Sequence, residues 1–274
     1  RTLSCHLLPK EESLRKTNMF NNITAIAKNT FRETIRDRIL LSAVFVIIGI
    51  ILFTLFIGSI SLEQSTRIII DFSTTAIYAL QVFVAIFIGS MLIYKEIEQK
   101  TLYLLLPKPV RRVEILIGKC LGLTLTTILV TLLSTSVLLA ILFMRGDTAH
   151  TLAIVLSVFL SILESIILIL ISMLFSTITS PILAAVSTIV MFFVGHAENI
   201  FRFIFMTTDS TLLEIIMRGA YYILPNLEKF NTRNDIVYGT LPNTPTLLIT
   251  IVYACIYATL LLFVTQTIFK KKDF

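Results

Sequence analysis

Residues 152–175 read LAIVLSVFLSILESIILILISMLF, a run in which every residue is apolar except four serines and Glu164. A hydrocarbon core of about 30 Å takes about 20 apolar residues in α-helix. Lipid offers no partners to peptide groups, so a spanning segment is either a helix, whose backbone bonds are internal, or a strand of a closed barrel. A barrel strand would alternate with a period of two, and this run does not. The stretch therefore predicts a membrane-crossing helix, with one carboxyl group set near its middle.

Working outward, five further apolar runs stand at about 40–60, 72–94, 115–143, 181–204 and 246–269, which with 151–175 makes six predicted spans. The run at 181–204 is the least uniform, because its fully apolar part ends at Gly195 and His196, Glu198 and Arg202 follow. The whole chain agrees: 274 residues, 56% hydrophobic and 15% charged, lie far outside the composition of a soluble globular domain. The expected fold class is an all-α integral membrane protein.

The net charge of +6 does not point to nucleic acid, since the basic residues fill the gaps between apolar runs and form no patch interleaved with aromatic residues. Their distribution sets orientation instead. With the N-terminus in the cytoplasm, 17 Lys and Arg fall on the inner side and 6 on the outer, as cytoplasmic segments near helix ends require. Both termini are then cytoplasmic, consistent with an even number of spans. Cys5, Cys120 and Cys255 are odd in number and widely spaced, so neither a disulfide framework nor a zinc site is expected.

Residues 1–18 are polar and hold no cleavable signal; they are expected to be a disordered or non-native extension ahead of Met19. From 19 to 39, Phe20, Ile23, Ala27, Phe31, Ile35 and Ile39 recur at spacings of three and four, opposite Lys28, Arg32 and Arg36. That pattern predicts an amphipathic helix lying in the cytoplasmic interface, followed by the six-span region 40–274. The long segment 205–245 between the last two spans includes TLLEIIMRGAYYILPNL and is expected to form short or re-entrant helices at the outer face.

No enzyme is legible. A phosphate-cradling G-x-x-x-x-G-K-[ST] is absent: the one Gly-Lys pair, Gly118-Lys119, has Val113 five positions ahead and Cys120 behind. Neither H-E-x-x-H nor G-x-S-x-G occurs, and His6, His150 and His196 are scattered, so the chain is expected to hold no catalytic residue, metal or cofactor. Glu164 is different, because a charge at the bilayer centre costs at least a few kcal/mol unless it faces water or a partner. It is a candidate for lining a translocation path, with an interhelical hydrogen bond as the structural alternative. His196 and Glu198 are expected at the outer interface. One buried Glu is a thin basis for an ion-coupled carrier, which would show more such residues and paired broken helices.

The charged interruption at 96–119 reads EIEQKTLYLLLPKPVRRVEILIGK. Helix formers up to Leu106, a turn fixed by Pro107 and Pro109, and a second helix from Val110 predict an elbow over 95–114 facing the cytoplasm. Here the sequence resembles the ABC-2-type permeases, membrane subunits of type-2 ABC transporters. Their pattern E-x-E-x-G-T-L-E-x-L-L, then P-V-[ST]-R-x-E-[IL]-[LI]-x-G-K, is met at Glu96, Glu98, Thr101, Leu102, Leu105, Pro109, Val110, Arg112, Glu114, Gly118 and Lys119. Lys100, Tyr103 and Arg111 depart from it. Within the family the chain looks most like permeases grouped with multicopper-enzyme maturation systems.

The resemblance implies a permease of a prokaryotic plasma membrane, an exporter by expectation. It implies pairing with a second permease half, most simply a copy of itself, and with a cytosolic ATPase subunit that binds ATP and Mg. The elbow would dock on that ATPase through Glu96, Glu98, Lys100, Thr101, Leu105, Pro109, Arg111 and Arg112, and the outer helices would form an extracellular gate. A membrane scaffold without transport and an ion-coupled secondary carrier are the rival expectations.

Overall fold

The computed structural model describes residues 8–60, 65–98, 112–198, 200, 203, 218–219, 221, 224–233 and 244–271, and among them every regular element is helical. The helices are α1 (Leu8–Ile35), α2 (Arg38–Ile60), α3 (Ser65–Phe83), α4 (Gly89–Glu98), α5 (Arg112–Met144), α6 (Thr151–Ile178), α7 (Pro181–His196) and α8 (Thr244–Lys271). A π-turn, Val84–Ile88, joins α3 to α4 without breaking the rod, and a 3-10 turn, Glu228–Phe230, lies ahead of α8.

Five helices are long and apolar enough to cross a membrane: Arg38–Gly58, Thr66–Tyr94, Val113–Met144, Thr151–Ile178 and Thr244–Phe269. The expected fifth span, 181–204, is shorter than its composition suggested. Helix α7 holds 16 residues, roughly 24 Å at about 1.5 Å per residue, below the hydrocarbon thickness of about 30 Å. It stops because Ala197 leaves helical geometry, with φ −88° and ψ 23° and its N–H turned back on Val194 O. The Gly195 carbonyl accepts the Leu227 N–H at 2.9 Å, so the chain before α8 folds over the end of α7.

Helix α6 is the axis of the molecule. It touches α3, the π-turn, α4, α5, α7 and α8, and Leu160, Ile167, Leu168, Leu170 and Ile171 are buried in those contacts. By contrast α2 and α8 leave large apolar side chains uncovered, among them Phe45, Phe53 and Phe56 on α2 and Leu248, Ile256 and Phe263 on α8. Contiguous exposed apolar faces of this size mark surfaces suited to lipid or to a protein partner. Helices α5 and α6 are joined by a tight turn in which Gly146 takes φ 78°, a left-handed conformation that costs an L side chain about 1 kcal/mol or more.

The N-terminal helix begins at Leu8, ahead of the expected start at 19, and breaks at Arg36–Asp37, where Asp37 Oδ1 accepts the Ile39 N–H at 2.9 Å and starts α2. Its covered side is Ile23, Ala27, Thr30 and Thr34, whereas Phe20 and Ile39 from the expected apolar face stand exposed. The reason lies in α5. Cβ atoms placed on Gly118 and Gly122 would come within 2.8 Å of Ile26 and 2.6 Å of Thr30, so this glycine pair, spaced four apart, admits α1 at close range in the small-xxx-small manner of membrane helices.

Candidate functional site

Two groups of polar side chains stand out against the apolar ground. The first ties together the helices that flank the charged interruption. At the start of α5, buried Glu114 accepts a hydrogen bond from Asn22 Nδ2 of α1 at 3.0 Å. One turn on, buried Lys119 extends its ammonium to Leu92 O of α4 at 2.9 Å. The helices entering and leaving the elbow are thereby tied to each other and to α1. Glu96 and Glu98 lie in the last turns of α4 and Arg112 opens α5. Lys100, Thr101, Leu105, Pro109 and Arg111 lie outside the described residues.

Helix α4 is in turn bonded to α6. Ser172 Oγ donates to Ile86 O at 3.1 Å, within the π-turn, and Ser176 Oγ donates to Ser90 O at 2.6 Å. A π-turn disturbs the regular i to i−4 ladder, and Ser172 supplies a donor where it does so. A Cβ on Gly89 would meet Ser172 Oγ at 3.0 Å, so the two helices lie close at this point.

The second group is built around Glu164, the fourteenth of the 28 residues of α6 and 1% exposed. Tyr78 of α3 donates its hydroxyl hydrogen to Glu164 Oε1 at 2.5 Å. His196, the last residue of α7, places Nε2 3.2 Å from the Tyr78 hydroxyl and 3.4 Å from Glu164 Oε1. Its Nδ1 lies 2.9 Å from Phe192 O. A carbonyl only accepts, so Nδ1 carries a hydrogen and Nε2 is the nitrogen that answers to Tyr78. Above them the Arg233 guanidinium sits 3.8 Å from the centre of the Tyr78 ring, a separation at which cation–π attraction is worth about 0.5–2 kcal/mol.

The energetics explain how Glu164 is accommodated. An acidic side chain at the helix centre costs about 2.5–3.5 kcal/mol on insertion scales, while a hydrogen bond to a charged group returns about 1.5–3 kcal/mol. Tyr78 therefore offsets most of the cost, and the Arg233 charge acts in the same direction. Glu164 Oε2 is nevertheless buried with no hydrogen-bond partner among the described residues.

Helix α7 and the segment 224–233 hold this group together. Leu227 and Phe230 are fully buried, and a Cβ on Gly195 would fall 2.7 Å from the Leu227 side chain. Asn226 donates its backbone N–H to the Tyr253 hydroxyl of α8 at 2.8 Å and its side-chain amide to Glu198 at 2.7 Å. Tyr221 also donates to Glu198, at 3.1 Å. His196 and Glu198, expected at the outer interface, have separate bonds: one belongs to the Glu164 cluster and the other ties down the segment that covers it. Most of the expected outer segment 205–245 lies outside the described residues.

Sequence reasoning found Glu164, Glu114, Gly118 and Lys119 but missed Tyr78 and Arg233 as members of a site. The chain is, on this architecture, a multi-pass helical membrane protein with a bonded polar core. It belongs to the ABC-2 family of transporters: residues 24–274 match the family described as ABC-2 family transporter protein. The chain is accordingly an ABC transporter permease. No curated protein matches it.

Proposed function

We propose that this chain is the membrane half of an ATP-driven exporter, six-spanning with both termini in the cytoplasm of a prokaryotic cell. It works with a second permease half, most simply a copy of itself, and takes its energy from a separate cytosolic ATPase that binds ATP and Mg. In this reading α1 lies along the inner membrane surface, 95–114 is the docking elbow, and Glu164 borders the translocation path.

The observation that carries the proposal is the bonded route from the elbow to Glu164. Movement imposed between α4 and α5 is constrained by the Lys119–Leu92 bond and by α1 packed on the glycine pair. Helix α4 passes displacement to α6 through the Ser172 and Ser176 bonds, and α6 carries Glu164. Interhelical hydrogen bonds in membranes average about 0.6 kcal/mol each, so they act here as register pins on packed helices. A packed core moves as rigid pieces, which suits transmission of an ATP-driven closure.

The test is charge reversal at the elbow, Arg111→Glu with Arg112→Glu. Charges at a docking surface set association and register, so recovery of the co-expressed ATPase with the purified variant is expected to fall at least about tenfold, with unchanged membrane insertion. Full ATPase recovery together with full transport would reduce these arginines to topology signals and remove the coupling role.

A further inference from the structure

We propose that Glu164, Tyr78 and His196 form a proton-binding site in the middle of the membrane domain, with the bound proton exchanged through Tyr78 and His196. The three polar atoms lie within 2.5, 3.2 and 3.4 Å of one another, and the Nδ1 hydrogen of His196 is already committed to Phe192 O. Two arrangements of the remaining protons leave every hydrogen in a bond. In one, Glu164 is a carboxylic acid donating to the Tyr78 oxygen, and the Tyr78 hydroxyl donates to the Nε2 lone pair. In the other, Tyr78 donates to a Glu164 carboxylate, and Nε2–H of an imidazolium donates to the Tyr78 oxygen.

The two arrangements hold the same number of protons. Passing from the first to the second breaks the Glu164 O–H and the Tyr78 O–H bonds and forms a new Tyr78 O–H and a His196 Nε2–H. The acid becomes a carboxylate, the imidazole becomes an imidazolium, and no electron is gained or lost. Release of the Nε2 proton to water then empties the site, leaving Glu164 bonded to Tyr78. Chains of this composition are what membrane proteins use to carry protons.

Burial gives the relay a direction. Exposure rises from 1% at Glu164 to 8% at Tyr78, and the His196 side chain reaches 17%. Glu164 Oε2 meets no hydrogen-bonding group among the described residues, so Tyr78 and His196 are its described polar route outward. The charges that act on the site come from the covering segment, where Arg233 lies on the Tyr78 ring and Glu228 adds an opposing field at Glu164. On α8, Tyr253 carries Lys229 on its ring and neighbours Tyr257. Helices α4 and α5 carry Tyr94, Glu114, Lys119 and Cys120 at the end of α4 and the start of α5, where Glu114 bonds Asn22 of α1 and Lys119 bonds Leu92 O of α4.

The test is infrared spectroscopy of the purified permease in lipid nanodiscs, reading the carbonyl stretch of protonated carboxyl groups from about pH 4 to about pH 9. A band that titrates in this range and disappears in Glu164→Gln is expected. In Tyr78→Phe, which keeps the ring that Arg233 covers, and in His196→Phe, deuterium exchange of that band is expected to slow at least about tenfold. Circular dichroism checks helical content, and if His196→Phe does not fold, Tyr78→Phe carries the test alone. Absence of any Glu164-dependent band, or exchange as fast in Tyr78→Phe as in wild type, overturns the proposal. The inference needs only the buried cluster, so it is separable from the path reading: wild-type transport by Glu164→Gln would remove Glu164 from the path while the proton site stood.

Discussion

Gly122 decides how closely α1 lies on α5. A Cβ there would stand 2.7 Å from Ala27 O and 2.6 Å from Thr30 Cβ, against backbone that cannot rotate away, whereas a Cβ on Gly49 of α2 meets nothing within 4 Å. Overpacking a tight contact costs about 1–3 kcal/mol, so Gly122→Leu is expected to lower the thermal midpoint of the detergent-solubilised protein and expose α1 to limited proteolysis. Gly49→Leu should change neither, and equal behaviour of the two would show that α1 does not dock here. The same scale shows what the sequence made legible. Glu164 was visible because a carboxyl in an apolar run has a cost that demands a cause. Tyr78 was not, since a tyrosine on an apolar helix face carries no signal until its partner is known, and that partner lies 86 residues away. His196 was noticed, but its place in this group was not, because its bond to Tyr78 spans 118 residues.

Helix α7 and the 224–233 segment show the same limit for an element. Composition predicted a span to 204, yet the helix stops at His196, where Leu227 and the Pro225 carbonyl take the space beside Gly195, a non-local contact that no window of sequence contains. The five long helices, in contrast, were readable because each carries its own apolar run and satisfies its own backbone. The interruption at 96–119 was readable as charges and prolines, but the bond between the helices that flank it was not, since Lys119 reaches a carbonyl 27 residues back. Leu227→Ala tests the seat. Removing a fully buried leucine costs about 2–5 kcal/mol, enough to loosen a short segment held by few bonds. A spin label at Lys229, exposed in the structure, should become markedly more mobile in Leu227→Ala and stay unchanged in Leu248→Ala, whose side chain is 60% exposed on α8. Unchanged mobility in Leu227→Ala would mean that the segment is held elsewhere and that the cover over Glu164 does not depend on this seat.

At the scale of the whole molecule the short α7 makes the number of crossings the quantity to measure. If α7 entered and left on the same side, Arg202, Arg218, Lys229 and Arg233 would move to the cytoplasm while Lys270, Lys271 and Lys272 moved out, a change of only 18 against 5 basic residues in place of 17 against 6. The total therefore does not discriminate; position does. The three lysines close directly on the end of α8, within the region where the bias operates, whereas the four arginine and lysine positions are spread over a long segment that counts for less. Six crossings are expected on that ground. In a background with Cys5→Ser and Cys255→Ser, leaving Cys120 buried, single cysteines at Lys108 and Lys271 should react with a membrane-impermeant maleimide only after the membrane is opened, and one at Lys229 should react in sealed cells. A five-crossing protein reverses the last two outcomes while keeping the first, because everything before α7 is common to both. Reaction of Lys271→Cys in sealed cells, with protection of Lys229→Cys, would place the Arg233 and His196 side of the molecule in the cytoplasm. The proton of Glu164 would then exchange with the inner rather than the outer solution.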